Sequence, residues 1–199
     1  MDRLASAPPG DAGLLRAGFV LAGGASSRMG SDKALLEYRG KPLVLHIAGE
    51  VARAAGSVVL VGDPGRYSHL GYTVVPDVYP SGGPLAGILT ALSISTATWN
   101  LIVACDMPVI ESLFLESLFR EAEHERAQCL VPITSDGRWQ PLCAIYHTSC
   151  FGPIQTAFGQ GVRKVTDGLK GLSTHHMVID QVHYFQNVNT PEDWVAQDG

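Results

Sequence analysis

Residues 21–33 read Leu-Ala-Gly-Gly-Ala-Ser-Ser-Arg-Met-Gly-Ser-Asp-Lys, directly after the apolar run Gly18-Phe19-Val20-Leu21-Ala22. Glycine lets a backbone approach a bulky anion, so that peptide N–H groups at Gly23, Gly24 and Gly30 can donate to phosphate oxygens. Arg28 and Lys33 add positive charge where a polyphosphate would lie. No Gly-Lys-Ser/Thr closes the loop, so it is not a Walker A motif, and its glycine spacing is not that of the dinucleotide fingerprint. A buried strand, a long glycine loop, an arginine and then a lysine suit a nucleotidyl transfer site. Such a site must hold a triphosphate and leave its α-phosphorus open to attack.

Asp106 lies in Ile102-Val103-Ala104-Cys105-Asp106-Met107-Pro108. A carboxylate directly after a buried strand suits Mg²⁺, which takes oxygen donors and keeps several waters. The same residue also reads as a turn or N-cap aspartate before Pro108. Asp77, after Thr73-Val74-Val75-Pro76, reads as an acceptor for a ribose hydroxyl or a metal-bound water, or as ordinary turn chemistry. Gly82-Gly83-Pro84 either punctuates a helix start or lets the backbone approach a base or ribose. Asn187 and Asn189 alternate along one strand face, as two donors toward a crevice. Thr190 before Pro191, with Asp193 beyond, is a helix start resembling a capping box. His175 and His176 are adjacent and lack matched acids nearby in sequence, which argues against a metal pair.

These side chains need a scaffold. Strand-length apolar runs fall at 18–22, 57–62, 72–76, 100–105, 128–133 and 140–146, alternating with helical patterns at 42–55, 84–96, 111–125, 151–159 and 191–197. Pro42 suits the opening turn of the first helix, and Leu43, Ile47, Val51 and Ala54 recur on one face. The alternation predicts an α/β fold, a mostly parallel sheet with helices on both faces. Ligands of such sheets bind beyond the C-terminal strand ends, where the glycine loop and Asp106 both fall. Segment 134–190 is less regular and is expected to form a smaller lobe over that crevice.

At 199 residues the chain predicts one domain, 18–199, behind a frayed leader, 1–17. A hydrophobic share of 46% against 17% charged residues makes it globular, and a net charge of −5 excludes a broad nucleic-acid or anionic-membrane surface. No run is long enough to span a membrane. Cys105, Cys129, Cys143 and Cys150 form no C-x-x-C pair, and three sit in apolar runs, so the expectation is a reduced, cytoplasmic protein without a zinc site.

From residue 18 onward the chain resembles the molybdenum cofactor guanylyltransferases, the molybdopterin-guanine dinucleotide biosynthesis protein A family. The resemblance rests on Leu21-Ala22-Gly23-Gly24 through Arg28-Met29-Gly30 and Asp32-Lys33, on Gly83-Pro84-Leu85-Ala86-Gly87, on Cys105-Asp106-Met107-Pro108, and on Asn187-Val188-Asn189-Thr190-Pro191. It implies a Rossmann-like three-layer α/β/α nucleotidyltransferase fold. It also implies transfer of GMP from GTP to the terminal phosphate of molybdopterin with Mg²⁺, and release of pyrophosphate. Carried over, Leu21, Ala22 and Gly23 read guanine through backbone groups, Gly24 binds the nucleotide, Lys33 contacts phosphate, and Arg28 with Lys33 stabilises the departing pyrophosphate. Asp77 and Gly83 meet the nucleotide, Asp106 holds the metal, and Asn187 and Asn189 face the pterin. The family often carries asparagine at the end of the second strand. Here Val61-Gly62 stand there, which leaves only backbone for nucleotide contact. The alternatives are a CTP-dependent cytidylyltransferase for the same cofactor, a sugar-phosphate nucleotidylyltransferase, or a non-catalytic nucleotide or cofactor carrier.

Overall fold

A computed structural model describes residues 15–23, 32–80 and 82–187. Residues 1–14 of the expected leader, Gly24, Arg28, Asn189 and the helix expected at 191–197 lie outside the described residues. In chain order the elements are β1 (Arg16–Leu21), a hairpin of β2 (Glu37–Tyr38) and β3 (Lys41–Pro42), α1 (Leu43–Ala55), β4 (Val58–Val61), α2 (Pro64–Tyr67) and β5 (Thr73–Val75). There follow α3 (Pro84–Ile94), β6 (Trp99–Ala104), α4 (Ser112–Glu125), β7 (Cys129–Thr134), β8 (Cys143–His147), α5 (Phe151–Gly159), α6 (Val165–Gly168) and β9 (Thr174–Ile179).

The main sheet runs β5-β4-β1-β6-β8-β7-β9. All neighbours are parallel except β8, which is antiparallel to both β6 and β7. Residues 135–142 between β7 and β8 are too few for a crossover, so the chain turns back as a hairpin. That corrects the expected lobe: within 134–190, β8 and β9 are strands of the same sheet. β9 escaped notice because Thr174-His175-His176-Met177-Val178-Ile179 has no apolar alternation, and only Ile179 in it is buried.

Two apolar layers cover the faces. On one, Leu43, Ile47, Val51 and Ala54 of α1 and Leu115, Leu118, Phe119 and Ala122 of α4 are buried as their spacing predicts. On the other, Leu85, Ile88 and Leu89 of α3 and Ile154 of α5 pack against Phe19, Leu21 and Val61. Cys129, Cys143 and Cys150 are buried free thiols, packed as small core residues. Pro42 stands at the N-cap of α1 rather than in its opening turn, with φ −51° and ψ 136°. The hairpin that precedes it delivers the chain in an extended conformation. The first strand begins two residues earlier than expected, at Arg16. Its guanidinium makes a bidentate contact with Glu123 of α4, 2.7 and 2.6 Å, and lies over the Phe119 ring.

Packing of α1 on β1 depends on Gly18. A Cβ there would lie 2.3 Å from Val51 Cγ1 and 2.7 Å from the Ser57 carbonyl oxygen, and the latter is backbone that cannot swing away. Gly18→Ala is expected to cost about 1–3 kcal/mol. Inside α1, a Cβ on Gly49 would meet nothing nearer than Arg53 Nη1 at 3.7 Å. Gly49→Ala is therefore expected to gain about 0.5–1 kcal/mol from helix propensity. Urea denaturation of both variants checks this. A midpoint for Gly18→Ala at or above wild type would refute the close approach.

Candidate nucleotide-binding site

β1 leads through α1 to β4 on one side, while β6, its other neighbour, is reached by the later α3 crossover. The connections leaving β1 and β6 therefore part at this point, the place where open α/β sheets bind ligands. Leu21 is level with both Val61 and Ala104. Cys105 N–H donates to the Leu21 carbonyl at 3.2 Å, and Ala104 N–H to that of Leu142 at 2.8 Å. The end of β6 is thus stitched to β1 on one side and to the approach of β8 on the other. Asp106 follows immediately.

Asp106 is half-buried as a residue, but its Oδ1 is buried and has no hydrogen-bond partner among the described residues. Burial pushes its carboxyl above the ordinary range; backbone donation and the positive charge of Lys33 pull the other way. Lys33 therefore lies within electrostatic reach of Asp106, although 73 positions separate them in sequence. Lys33, just after the glycine segment, and the carboxylate at the end of β6 are thus brought to the same end of the sheet. A buried carboxylate oxygen without a partner fits a Mg²⁺ ligand, since that ion is commonly held by one or two carboxylates with phosphate and water completing its shell.

The glycine segment is tied down at both ends by one residue that sequence reasoning missed. The buried Tyr67 hydroxyl lies 2.6 Å from the Ala22 carbonyl and 2.7 Å from Asp32 Oδ2. Asp32 also caps the 3-10 turn Lys33–Leu35 by accepting from Ala34 N–H at 3.1 Å, and Arg66 Nη1 lies 3.3 Å from its Oδ2. Asp32 is therefore an anchor that sets the start of the Lys33 turn. Tyr67 itself rests against the end of β4: a Cβ on Gly62 would lie 2.9 Å from its ring. The available signal was an Asp-Pro-Gly-Arg-Tyr stretch just after β4, with Asp63 as N-cap and Pro64 at the first helical position.

Other expected contacts change in detail. The Ala22 N–H is spent on the Val61 carbonyl at 2.9 Å, and the Leu21 and Ala22 carbonyls each already accept a bond. The Ala22 N–H is therefore not open to a ligand, and the first N–H of this segment with no bond among the described residues is that of Gly23. The Leu21 side chain is buried against Gly87 of α3. Val61 is likewise buried in the core with its carbonyl engaged, which takes it out of the contact set. Gly83, at φ +72° and ψ −167°, starts α3 without any side-chain cap. That backbone region is essentially reserved for glycine. Asp77 Oδ1 accepts from Tyr79 N–H at 2.9 Å and from the Thr90 hydroxyl at 2.8 Å. The first bond is turn chemistry, and the second ties the turn to α3. Asn187 is exposed and follows a 3-10 turn, Val182–Phe185, rather than lying on a strand. Tyr184 and Phe185 of that turn pack on Phe114, near the start of α4.

His175 and His176 do not act together. His175 contacts Glu121 and Glu125 of α4, at 3.2 and 3.6 Å, and His176 packs against Trp139. A cavity of about 490 Å³ lined by Trp99, Glu123, Arg126 and His147 sits at the opposite end of the sheet and takes no part in this site. Among the described residues no helix is long and apolar enough to cross a membrane.

Residues 18–176 match the MobA-like NTP transferase domain. A probable molybdenum cofactor guanylyltransferase of Deinococcus radiodurans is 34% identical over 182 residues, 90% of this chain and 92% of that protein. One from Flavobacterium johnsoniae is 31% identical over 177 residues, 88% and 92% of the two chains. The crystal structure of molybdopterin-guanine dinucleotide biosynthesis protein A from Archaeoglobus fulgidus superposes with a TM-score of 0.78 at 26% identity, covering 90% of this chain and 95% of that one. A sheet whose β1–β6 switch point places Asp106 and the start of the glycine segment at one end agrees with those likenesses: the chain belongs to the MobA-like NTP transferase family and is a nucleotidyltransferase.

Proposed function

We propose that the protein transfers GMP from GTP to the terminal phosphate of molybdopterin and releases pyrophosphate. The observation that carries this reading is the buried Oδ1 of Asp106, which lacks a partner among the described residues and lies within electrostatic reach of Lys33. The naming of the relatives as guanylyltransferases supports the base and the acceptor. A phosphate oxygen of the acceptor attacks the α-phosphorus of GTP, and the bond to the pyrophosphate oxygen breaks. The attacking phosphate is already ionised at neutral pH, so no general base is needed. Lys33, with Arg28 and loop N–H groups, neutralises charge building on the leaving pyrophosphate. Tyr67 and Asp32 hold the flanks of that loop so that Lys33 is oriented before substrate arrives. Gly23, Gly24 and the backbone at Gly83 are left to meet the nucleoside. Asp106 would hold Mg²⁺, which when bound neutralises phosphate oxygens and fixes in-line geometry. Asn187 and Asn189 remain proposed contacts on the acceptor side.

Pyrophosphate release with molybdopterin and Mg²⁺ tests this directly. GTP is expected to exceed CTP and ATP in kcat/KM by at least about tenfold, because a mismatched base leaves buried groups unpaired at roughly 1–3 kcal/mol each. Lys33→Ala is expected to lower kcat more than GTP affinity. Equal kcat/KM for GTP and CTP would leave only a nucleotidyltransferase of unassigned base.

Asp106→Asn is expected to abolish transfer yet stabilise the protein when divalent ions are chelated. Because burial raises the folded pKa above 3.8, the folded chain binds this proton more tightly than the unfolded chain. Wild-type stability is then lost as pH rises through the folded pKa, and the asparagine variant escapes that loss. Thermal melts should show the variant's advantage growing from pH 3.5 to pH 7. A pH-independent gap would mean that Asp106 is well solvated.

A further inference from the structure

Trp139 is the exposed tryptophan of the described residues, at 36%, whereas Trp99 is buried at 5%. It sits in the short β7–β8 connection, on a backbone held on both sides. Thr134 N–H donates to the Arg138 carbonyl at 3.0 Å, and Gln140 N–H to that of Pro132 at 2.8 Å. The His176 imidazole supports the indole from β9, ring centres 4.3 Å apart. A large apolar ring on so rigid a mount, yet outside both core layers, has no role in folding that the structure shows. It lines a cavity of about 410 Å³ with Arg138, Thr166, Asp167 and Lys170.

This cavity flanks the site already described. Leu142, three residues after Trp139, bonds to Ala104 at the end of β6, two residues before Asp106. On the other side α6 lies directly on α3: a Cβ on Gly168 would come within 2.8 Å of Leu85, next to Pro84 at the helix start. Trp139 follows β7 and stacks on His176 of β9, and both strands lie on the far side of β6 from β1 and β4.

Its chemistry is specific. An indole face suits a flat heterocycle. Asp167 pairs with Lys170 at 2.8 Å, and that contact holds its carboxyl below the ordinary range, so it is ionised. An ionised carboxylate is an acceptor for paired N–H donors such as those of a 2-amino-4-oxo ring. Arg138, paired only loosely with Asp136 at 3.6 Å, offers a cation to an anionic side chain. We infer that this cavity seats the pterin ring of the acceptor, with Trp139 stacking on it, Asp167 accepting from its 2-amino-4-oxo edge and Arg138 facing its anionic arm. The inference rests on the proposed use of molybdopterin as acceptor. Guanine carries the same edge, so a second GTP is the competing source.

The probe is pterin-6-carboxylate, titrated by its own fluorescence with saturating GTP present. Wild type is expected to bind it. Trp139→Ala and Asp167→Ala should each weaken binding about tenfold, the scale of one lost ring stack. Trp139→Phe should keep it within about threefold, and the Kd for GTP should be unchanged in all three. In turnover, Trp139→Ala should raise the KM for molybdopterin with kcat and the KM for GTP near wild type. Pterin binding that is seen without GTP but lost when GTP is saturating, or a Trp139→Ala enzyme with unchanged pterin affinity, would overturn the seat. Trp139-dependent pterin binding in a protein that transfers no GMP would uphold the seat and refute the guanylyl-transfer reading instead.

Discussion

The hydrogen bond from Cys105 N–H to the Leu21 carbonyl joins the ends of two strands that are far apart in sequence. Everything that follows those strands inherits its position from that stitch. After Leu21 the chain enters the glycine segment and reaches Lys33; after Cys105 it reaches Asp106. Parallel pairing with Leu21 level with Ala104 is what puts both segments at one end of the sheet. A one-residue slip would send Leu21 out of the α3-side core and destroy the buried contact with Gly87.

The site holds its charge at a cost. Asp106 is desolvated, and one of its oxygens has no partner among the described residues. Such a group is retained against stability when it serves a ligand, because binding a cation offsets the cost of burying a carboxylate. Tyr67 works in the opposite sense. Its hydroxyl reaches both flanks of the glycine segment, so that segment's ends are fixed before any nucleotide binds. Flanks fixed in advance leave less ordering for binding to bring about.

The sheet also changes direction, and that divides labour. From β5 to β6 the strands are parallel and the nucleotide segments emerge at one end. The reversed β8 brings the chain back down, and β7 and β9 rise again beside it. The β7–β8 connection is consequently a tight hairpin at the same end as Asp106, and it carries Trp139. A crossover helix at that point would have covered the region that the hairpin leaves open.

The local pattern of residues already determined the nucleotide half. Apolar runs marked β1, β4, β5 and β6; helical spacing marked the buried faces of α1 and α4; and glycines with Lys33 and Asp106 suggested the chemistry proposed above. Those features depend on near neighbours in the chain, so they are legible there. Only the tertiary structure decided which backbone groups are spent. Ala22 N–H is lost to Val61, and its carbonyl to Tyr67, because β4 lies beside β1. Only packing revealed β9, whose two histidines break the apolar alternation while its backbone completes the ladder with β7. The asparagine side shows the same division. The motif was visible, yet Asn187 does not lie on a strand: it follows a 3-10 turn whose Tyr184 and Phe185 dock on Phe114 of a distant helix. Residue type and spacing fix what chemistry is available. Long-range pairing fixes which donors and acceptors are still open to a ligand, since each backbone group used in the ladder is no longer offered to one.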